Sequence, residues 1–261
     1  MIKLARALNF PQKLINELQK LDERQLSYLS EKCLEKGFSP LKRKNDVERL
    51  GVMLACAVKV KDKYESLGIS DEIYYHTMSD IKIWCDNNEG RGLKNYGWIS
   101  NHVKCELFRL GRLQFQIYPC KNKALLYNKL PFSYGENLVY VHIPQGEKLS
   151  FDECIKSFNM ADKFFSEYFP SYNYRYYFCE SWLLYEGNKD FMKPDSNIIK
   201  FSSLFNHAYS IKIDEQAIER IFGERKLFKK NYPENTSLQK SAKAHMQKGG
   251  RLGVGIATRE R

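Results

Sequence analysis

The sequence contains no run of about 18 consecutive apolar residues, so no helix is expected to cross a bilayer. A long apolar segment near the amino terminus is also missing, and no secretory signal is expected. There is no CxxC pair, and the seven cysteines (Cys33, Cys56, Cys85, Cys105, Cys120, Cys154 and Cys179) are odd in number. That argues against a disulfide framework, and no metal site of standard zinc-ligand spacing is present. Several of these cysteines fall at apolar positions, as reduced thiols used as small hydrophobes do, and a cytoplasmic location is expected. GxSxG, HExxH, Walker A and GxGxxG patterns are all absent, as is any recognisable nucleic-acid motif. Internal repeats and low-complexity stretches are absent too.

What is present is a large apolar and aromatic content, 43% and 14%, enough to bury a substantial core. Lys and Arg outnumber Asp and Glu by 42 to 31, for a net charge of +11. An excess of that size favours an anionic partner: a phosphate-bearing cofactor, a nucleic acid or an acidic surface. It is spread along the chain with no basic block, which weighs against nucleic acid.

The amino-terminal part reads as helices. Helical spacing of apolar residues covers Pro11 to Leu21, Asp22 to Lys36, Asp46 to Leu67 and Ser70 to Cys85, with glycines and Ser39-Pro40 as punctuation. Within the last of these, the stretch Tyr74 to Asp80 is polar and aromatic enough to line a pocket, and His76 is its candidate ligand-contacting residue. Asn95 to Leu110 reads as one more helix, closed by Gly111 as a C′ glycine. Arg112 to Tyr118 then alternates, with Leu113, Phe115 and Ile117 on one face and Arg112, Gln114 and Gln116 on the other. That is a half-buried strand whose polar face is either solvated or turned to a ligand. Arg109 and Arg112 flank a glycine in a way that suits a carboxylate or phosphate.

Residues 124–127 are expected to add a strand. Leu138 to Leu184 is the organising stretch. Leu138 to Ile143 is a β-branched run suited to a buried strand, and Pro144-Gln145-Gly146 stops it. Ser150 and Glu153 form a capping box that opens a helix with Phe151, Cys154, Ile155, Phe158, Ala161, Phe165 and Tyr168 on one side. Pro170 ends it, and Tyr174 to Leu184 reads as a second strand. Strand, helix and strand in this order make a parallel pair, and free N–H groups at the start of the helix favour an anion. Beyond it, helices are expected from Ser196 to about His207, from Asp214 (as N-cap) to Phe222, and from Asn235 or Thr236 to about Gln247. Strands are expected at Tyr209 to Ile213 and Arg251 to Ala257, with a loose tail from Thr258. Helices before strands imply an α+β chain of two subdomains, 1–111 and 112–261.

Several stretches carry a resemblance. They are Tyr75-His76-Thr77-Met78-Ser79-Asp80-Ile81, Tyr96-Gly97-Trp98-Ile99 and Leu107-Phe108-Arg109-Leu110-Gly111-Arg112-Leu113-Gln114-Phe115. Val141-His142-Ile143-Pro144, Cys179-Glu180-Ser181-Trp182-Leu183-Leu184, Asn235-Thr236-Ser237-Leu238-Gln239 and Gly249-Gly250 belong with them. Together they resemble a family of bacterial acyltransferase-domain proteins, in which a helical, lid-like amino-terminal domain precedes a GNAT-like carboxy-terminal domain. The resemblance implies an N-acyltransferase that uses acyl-CoA as co-substrate and a small-molecule or peptide amine as acceptor, with no metal.

In such folds the thioester lies between two splayed parallel strands, and its pyrophosphate sits on the loop that follows the first. By that likeness Val141, Ile143, Gln145, Gly146, Lys148 and Ser150 would hold the cofactor. The loop departs from the superfamily pattern in having one glycine, and it carries Glu147 beside Lys148. Candidate acid–base residues are His142 on the first splayed strand, Glu180 on the second, and Tyr177, with Tyr176 beside it, as a proton donor. Arg112, Gln114 and His76 are the candidates for contacting the acceptor. The alternative is a non-catalytic ligand- or partner-binding protein on the same fold. A third reading, a basic nucleic-acid-binding protein, rests on charge alone and predicts affinity that falls steeply with salt.

Overall fold

Asp46–Ser66 (α4) shows why the amino-terminal residues fold as they do. Asn45 caps it, its side chain accepting from the N–H groups of Val47 and Glu48 while Glu48 reaches back to the Asn45 N–H. Leu50, Val52, Met53, Leu54, Cys56, Ala57, Val60 and Tyr64 are all buried, so α4 is covered on nearly every side and not along a single stripe. The computed structural model describes residues 1–123 and 130–261, and the strand expected at 124–127 lies outside the described residues.

Two compact units are present. The first comprises Met1–Gln116, Ile143–Gly146 and Lys163–Pro170, and the second Ile117–His142, Glu147–Asp162 and Ser171–Arg261.

In the first unit, α1 (Ile2–Ala7), α2 (Gln12–Leu18), α3 (Glu23–Lys36), α5 (Asp71–Asp86) and α6 (Tyr96–Val103) accompany α4. Gly51 lets α4 approach its neighbours, since a Cβ there would lie 2.6 Å from Leu21 Cδ1. The helix expected over Asn95 to Leu110 is in fact α6 followed by strand β1 (Leu107–Leu110). The break is a Schellman turn in which Cys105 takes the left-handed position at φ 61. Its N–H donates to His102 O and that of Glu106 to Asn101 O. Gly111, at φ 68, is therefore not a helix C′ residue. It is the first of two turn residues joining β1 to β2 (Leu113–Pro119) in an antiparallel hairpin, with Leu110 opposite Leu113.

The second unit is built on β3 (Asn137–His142), the Phe151–Asp162 part of α7 (Phe151–Tyr168) and β4 (Tyr176–Ser181), with β3 and β4 parallel as expected. The strand forecast to reach Leu184 stops at Ser181, whose Oγ accepts from Leu183 N and turns the chain into a 3₁₀ turn. Then follow α8 (Asn197–Ser202), β5 (Asn206–Ile211), α9 (Glu215–Phe222), α10 (Ser237–Gln247) and β6 (Val254–Glu260). Thr236 and Gln239 make the capping box of α10. Asp214 does not cap α9, because its carboxylate pairs with Arg225. The tail is not loose either: β6 runs to Glu260 between β4 and β5, with Tyr176 opposite Glu260. The six strands lie in the order β1-β2-β3-β4-β6-β5.

Two glycines admit β6 to this place. A Cβ on Gly255 would stand 2.0 Å from Leu184 O, and one on Gly253 would stand 2.4 Å from Ile211 O. Both obstacles are backbone, so neither can swing aside. Gly255→Ala is expected to cost about 3 kcal/mol, read as a lower midpoint of urea unfolding at unchanged slope. A wild-type midpoint would show that the strand relaxes freely there.

Candidate active site

The β3–β4 pair is held over three residues and then opens. Its register runs Leu138↔Tyr176, Val139↔Tyr177 and Tyr140↔Phe178, and no pair follows among the described residues, although β3 continues to His142 and β4 to Ser181. β4 meanwhile stays paired with β6 as far as Ser181↔Gly255. The result is a wedge between two parallel strands. His142 and Glu180 each lie two residues past the last paired position, so side-chain alternation sets both on the face that carries Tyr140 and Phe178.

That face is aromatic. The rings of Tyr140 and His142 stack at 4.1 Å, Tyr140 meets Phe178 edge-on at 4.9 Å, and Tyr118 lies 5.3 Å from Tyr140. Tyr172 supports it from behind, its hydroxyl donating to Leu138 O at 2.7 Å and accepting from Tyr118 N at 3.1 Å. Glu180 is exposed although it sits on an interior strand between buried Cys179 and Ser181. A solvent-facing carboxylate in the middle of a sheet marks a place that the described residues leave open to solvent. Desolvation by the surrounding wall still raises its pKa. The Tyr140 phenol is pushed far up by burial, and by the charges of Cys179 and Glu180, so it stays protonated.

Tyr177 is placed differently. Alternation turns it to the opposite face, where its ring meets Phe158 of α7 at 5.0 Å. Its hydroxyl donates to Asp162 Oδ1 at 2.8 Å and lies 2.9 Å from the Tyr174 hydroxyl. Burial first, then Tyr174 and Asp162, drive its pKa far up. Cys179 lies on that face too, fully buried, its thiol raised by desolvation.

After β3, Val141 is buried, Ile143 half-buried, and Gln145, Gly146, Glu147 and Lys148 are exposed, leading through Ser150 into α7. Gly146 has φ +111 with open space where a Cβ would be. Within the first unit, Arg112 is buried and its Nη1 donates to Pro144 O at 2.9 Å, while Asn87 Nδ2 donates to Gln145 Oε1 at 3.0 Å. The polar face of β2 is thus neither solvated nor open at Arg112. His76 lies on the exposed side of α5.

Gln114 belongs to a buried network that pattern reading did not find. Asp80 Oδ2 accepts from Trp98 Nε1 at 2.8 Å and lies 3.1 Å from His102 Nε2, and Gln114 Nε2 is 3.4 Å from the same imidazole nitrogen. Burial acts to raise the Asp80 pKa. The charge of His102, with hydrogen bonds from His102, Trp98 and Gln114, outweighs it and holds the carboxyl below its ordinary value. His102 Nδ1 is a buried atom with no hydrogen-bond partner among the described residues.

Residues 107–258 match the family model of the GNAT-like C-terminal domain, and residues 1–105 match that of the N-acyltransferase N-terminal domain. The chain belongs to this GNAT-like N-acyltransferase family. Solved structures agree in fold. An acyltransferase in complex with decanoyl-CoA and teicoplanin superposes with a TM-score of 0.80 at 20% identity, over 99% of this chain and 86% of that one. An acyltransferase in complex with CoA and 10C-teicoplanin gives 0.81 at 21% identity, with the same coverages. An acyltransferase mutant in complex with octanoyl-CoA gives 0.81 at 20%, again over 99% and 86%. No curated protein matches the sequence. The α+β architecture of a GNAT-like N-acyltransferase, a helical amino-terminal region before a mixed sheet, is therefore the architecture of this chain. Among the described residues no helix is long and apolar enough to cross a membrane.

Proposed function

We propose that this chain transfers an acyl group from acyl-CoA to the amine of a small-molecule or peptide acceptor. The observation that supports it most is the wedge, where a parallel ladder ends at Tyr140↔Phe178 and an exposed Glu180 shares a face with His142 and Tyr140. A bound acyl-CoA would supply an activated carbonyl and a thiol leaving group. Glu180, directly or through water, takes the proton from the attacking amine, and its raised pKa makes it a better base than an ordinary carboxylate. His142, stacked on Tyr140, helps to hold and relay that proton. Tyr140 keeps its phenolic proton and can hydrogen-bond the leaving thiolate; burial makes it a weak acid, so net protonation of the thiolate draws on the proton that Glu180 has taken from the amine and His142 relays. It takes the place considered for Tyr177, whose hydroxyl is already committed to Tyr174 and Asp162. Backbone N–H groups at Val141 and Ile143 are the oxyanion donors in this scheme.

The loop suits a diphosphate in part. Gly146 leaves room for close approach, and Lys148 with Gln145 and Ser150 leads to the start of an 18-residue helix. Glu147 opposes it. In this reading Arg112 holds the loop through Pro144 O and Gln114 orders His102, so both position others, and His76 is left as an acceptor contact on the α5 surface. We also place the boundary of the two domains at Gly111, and the protein in the cytoplasm, where its seven free thiols would persist.

The test is thermal unfolding with acyl-CoAs of increasing chain length, followed by turnover measured as thiol release. At about 100-fold over Kd a ligand specific for the folded state adds about 2.7 kcal/mol. A clear rise with acyl-CoA and a smaller one with free adenine nucleotide is expected. No rise with any CoA thioester at saturating concentration would remove the assignment. A rise without turnover on any amine would favour the non-catalytic binding protein instead.

A further inference from the structure

The second unit carries a surface feature that acyl transfer does not use. Leu227 is 89% exposed and its neighbour Phe228 57%. Single exposed apolar residues are ordinary, but two bulky ones side by side at a loop tip are not. Ile213, 54% exposed, stands next to Asp214, and the Arg225–Asp214 ion pair ties the two segments together. The ten residues Gly223–Tyr232 hold four cations (Arg225, Lys226, Lys229, Lys230) and one carboxylate, Glu224; Arg225 pairs with Asp214 and Glu215 and Lys226 with Glu224, so with those three carboxylates counted four minus three leaves +1.

The tip stands on a firm base. Phe222 and Tyr232, at its two ends, meet with tilted rings at 4.4 Å within a buried cluster that includes Ile218, Ala242 and Met246. Lys229 Nζ donates to Met246 O at 2.7 Å, closing the 3₁₀ turn onto α10. Leu227 and Phe228 therefore project because both flanks are fixed. Lys230 lies 5.9 Å from the centre of the Phe228 ring, setting a cation directly beside the apolar tip.

We propose that Leu227 and Phe228 insert into the headgroup region of an anionic lipid bilayer, with Lys230 against its phosphates and Lys226 exchanging its ion pair with Glu224 for them, while Arg225 stays paired with Asp214. A bilayer suits this geometry better than a protein partner. Side chains of this size bury about 150–250 Å² each, whereas a stable protein interface takes about 800 Å² from each side. A lipid surface needs no matching relief, only apolar depth and negative charge, and the tip offers the complement of both.

Sedimentation of the full chain with vesicles of phosphatidylcholine containing about three-tenths phosphatidylglycerol tests it directly. Binding is expected there and not to pure phosphatidylcholine. It should weaken at least about tenfold at high salt, and by a similar factor in the double variant Leu227→Gln/Phe228→Gln. Because these side chains are exposed, that variant should keep the wild-type melting temperature. A second arm, Lys230→Glu, should weaken binding without touching the apolar residues. Failure to sediment with anionic vesicles would overturn the proposal. So would equal binding by the double variant, or self-association of the wild type that the double variant abolishes.

Discussion

Glu180→Gln is expected to lower turnover about 10²–10⁴-fold while leaving the fold intact. The amide keeps the size of the side chain and can still hydrogen-bond, but it cannot take a proton. Since Glu180 is exposed on β4, the substitution creates no cavity and strands no buried charge. The pH dependence separates a base from a mere contact. A general base works only when deprotonated, so activity falls as pH drops through its pKa. Desolvation raises that pKa, so the acidic limb of kcat/KM should lie at higher pH than an ordinary carboxylate would give. In Glu180→Gln the limb should disappear along with most of the rate. A variant that loses affinity for the acceptor yet keeps the limb would reassign Glu180 to binding, and full activity would remove it from the site.

Asp80→Ala should be the most destabilising single change in the amino-terminal unit. Asp80 is 2% exposed and His102 wholly buried, so removing the carboxylate leaves an imidazole and the Trp98 N–H without their acceptor. Breaking such a buried pair from one side costs about 3–5 kcal/mol. Its folded pKa is held below the unfolded value, so its contribution is fully present above the ordinary Asp range and is lost as pH falls through the folded pKa. Urea unfolding at neutral and acidic pH would read both effects. The gap between wild type and Asp80→Ala should close in acid, and a loss under about 1 kcal/mol at neutral pH would mean that the network is already compromised. The orphaned His102 Nδ1 gives that second outcome physical sense, since one unsatisfied atom is already part of the folded state.

Much of this architecture was readable from periodicity and stop signals. The run Leu138 to Ile143, the proline and glycine after it, and the apolar side of α7 together specify a parallel strand pair. What escaped was written in less regular chemistry. The end of α6 was missed because the left-handed residue is Cys105 and not glycine, so no turn signal stood where the helix stops. Asp80 and His102 lie 22 positions apart and are joined only by packing, which neither residue announces alone. Tyr177 was a different case. Counting by twos from Glu180 leads to Phe178 and Tyr176, and counting back from His142 leads to Tyr140. The alternation that faces Tyr177 away from Glu180 was therefore present in the chain, and the tyrosines on the face of Glu180 are Tyr176 on its own strand and Tyr140 on the neighbouring one.

The cysteines have a use that has nothing to do with acyl transfer. All seven are free and buried, four in the first unit and three in the second. Burial raises the thiols of Cys33, Cys56, Cys85, Cys105, Cys120 and Cys179, that of Cys105 to about 11. The folded chain is thus nearly silent to alkylating reagents, which attack the thiolate. Each thiol becomes a clock that starts only when its own surroundings open. Mass spectrometry of timed labelling would then read the opening of each unit separately, without any engineered probe.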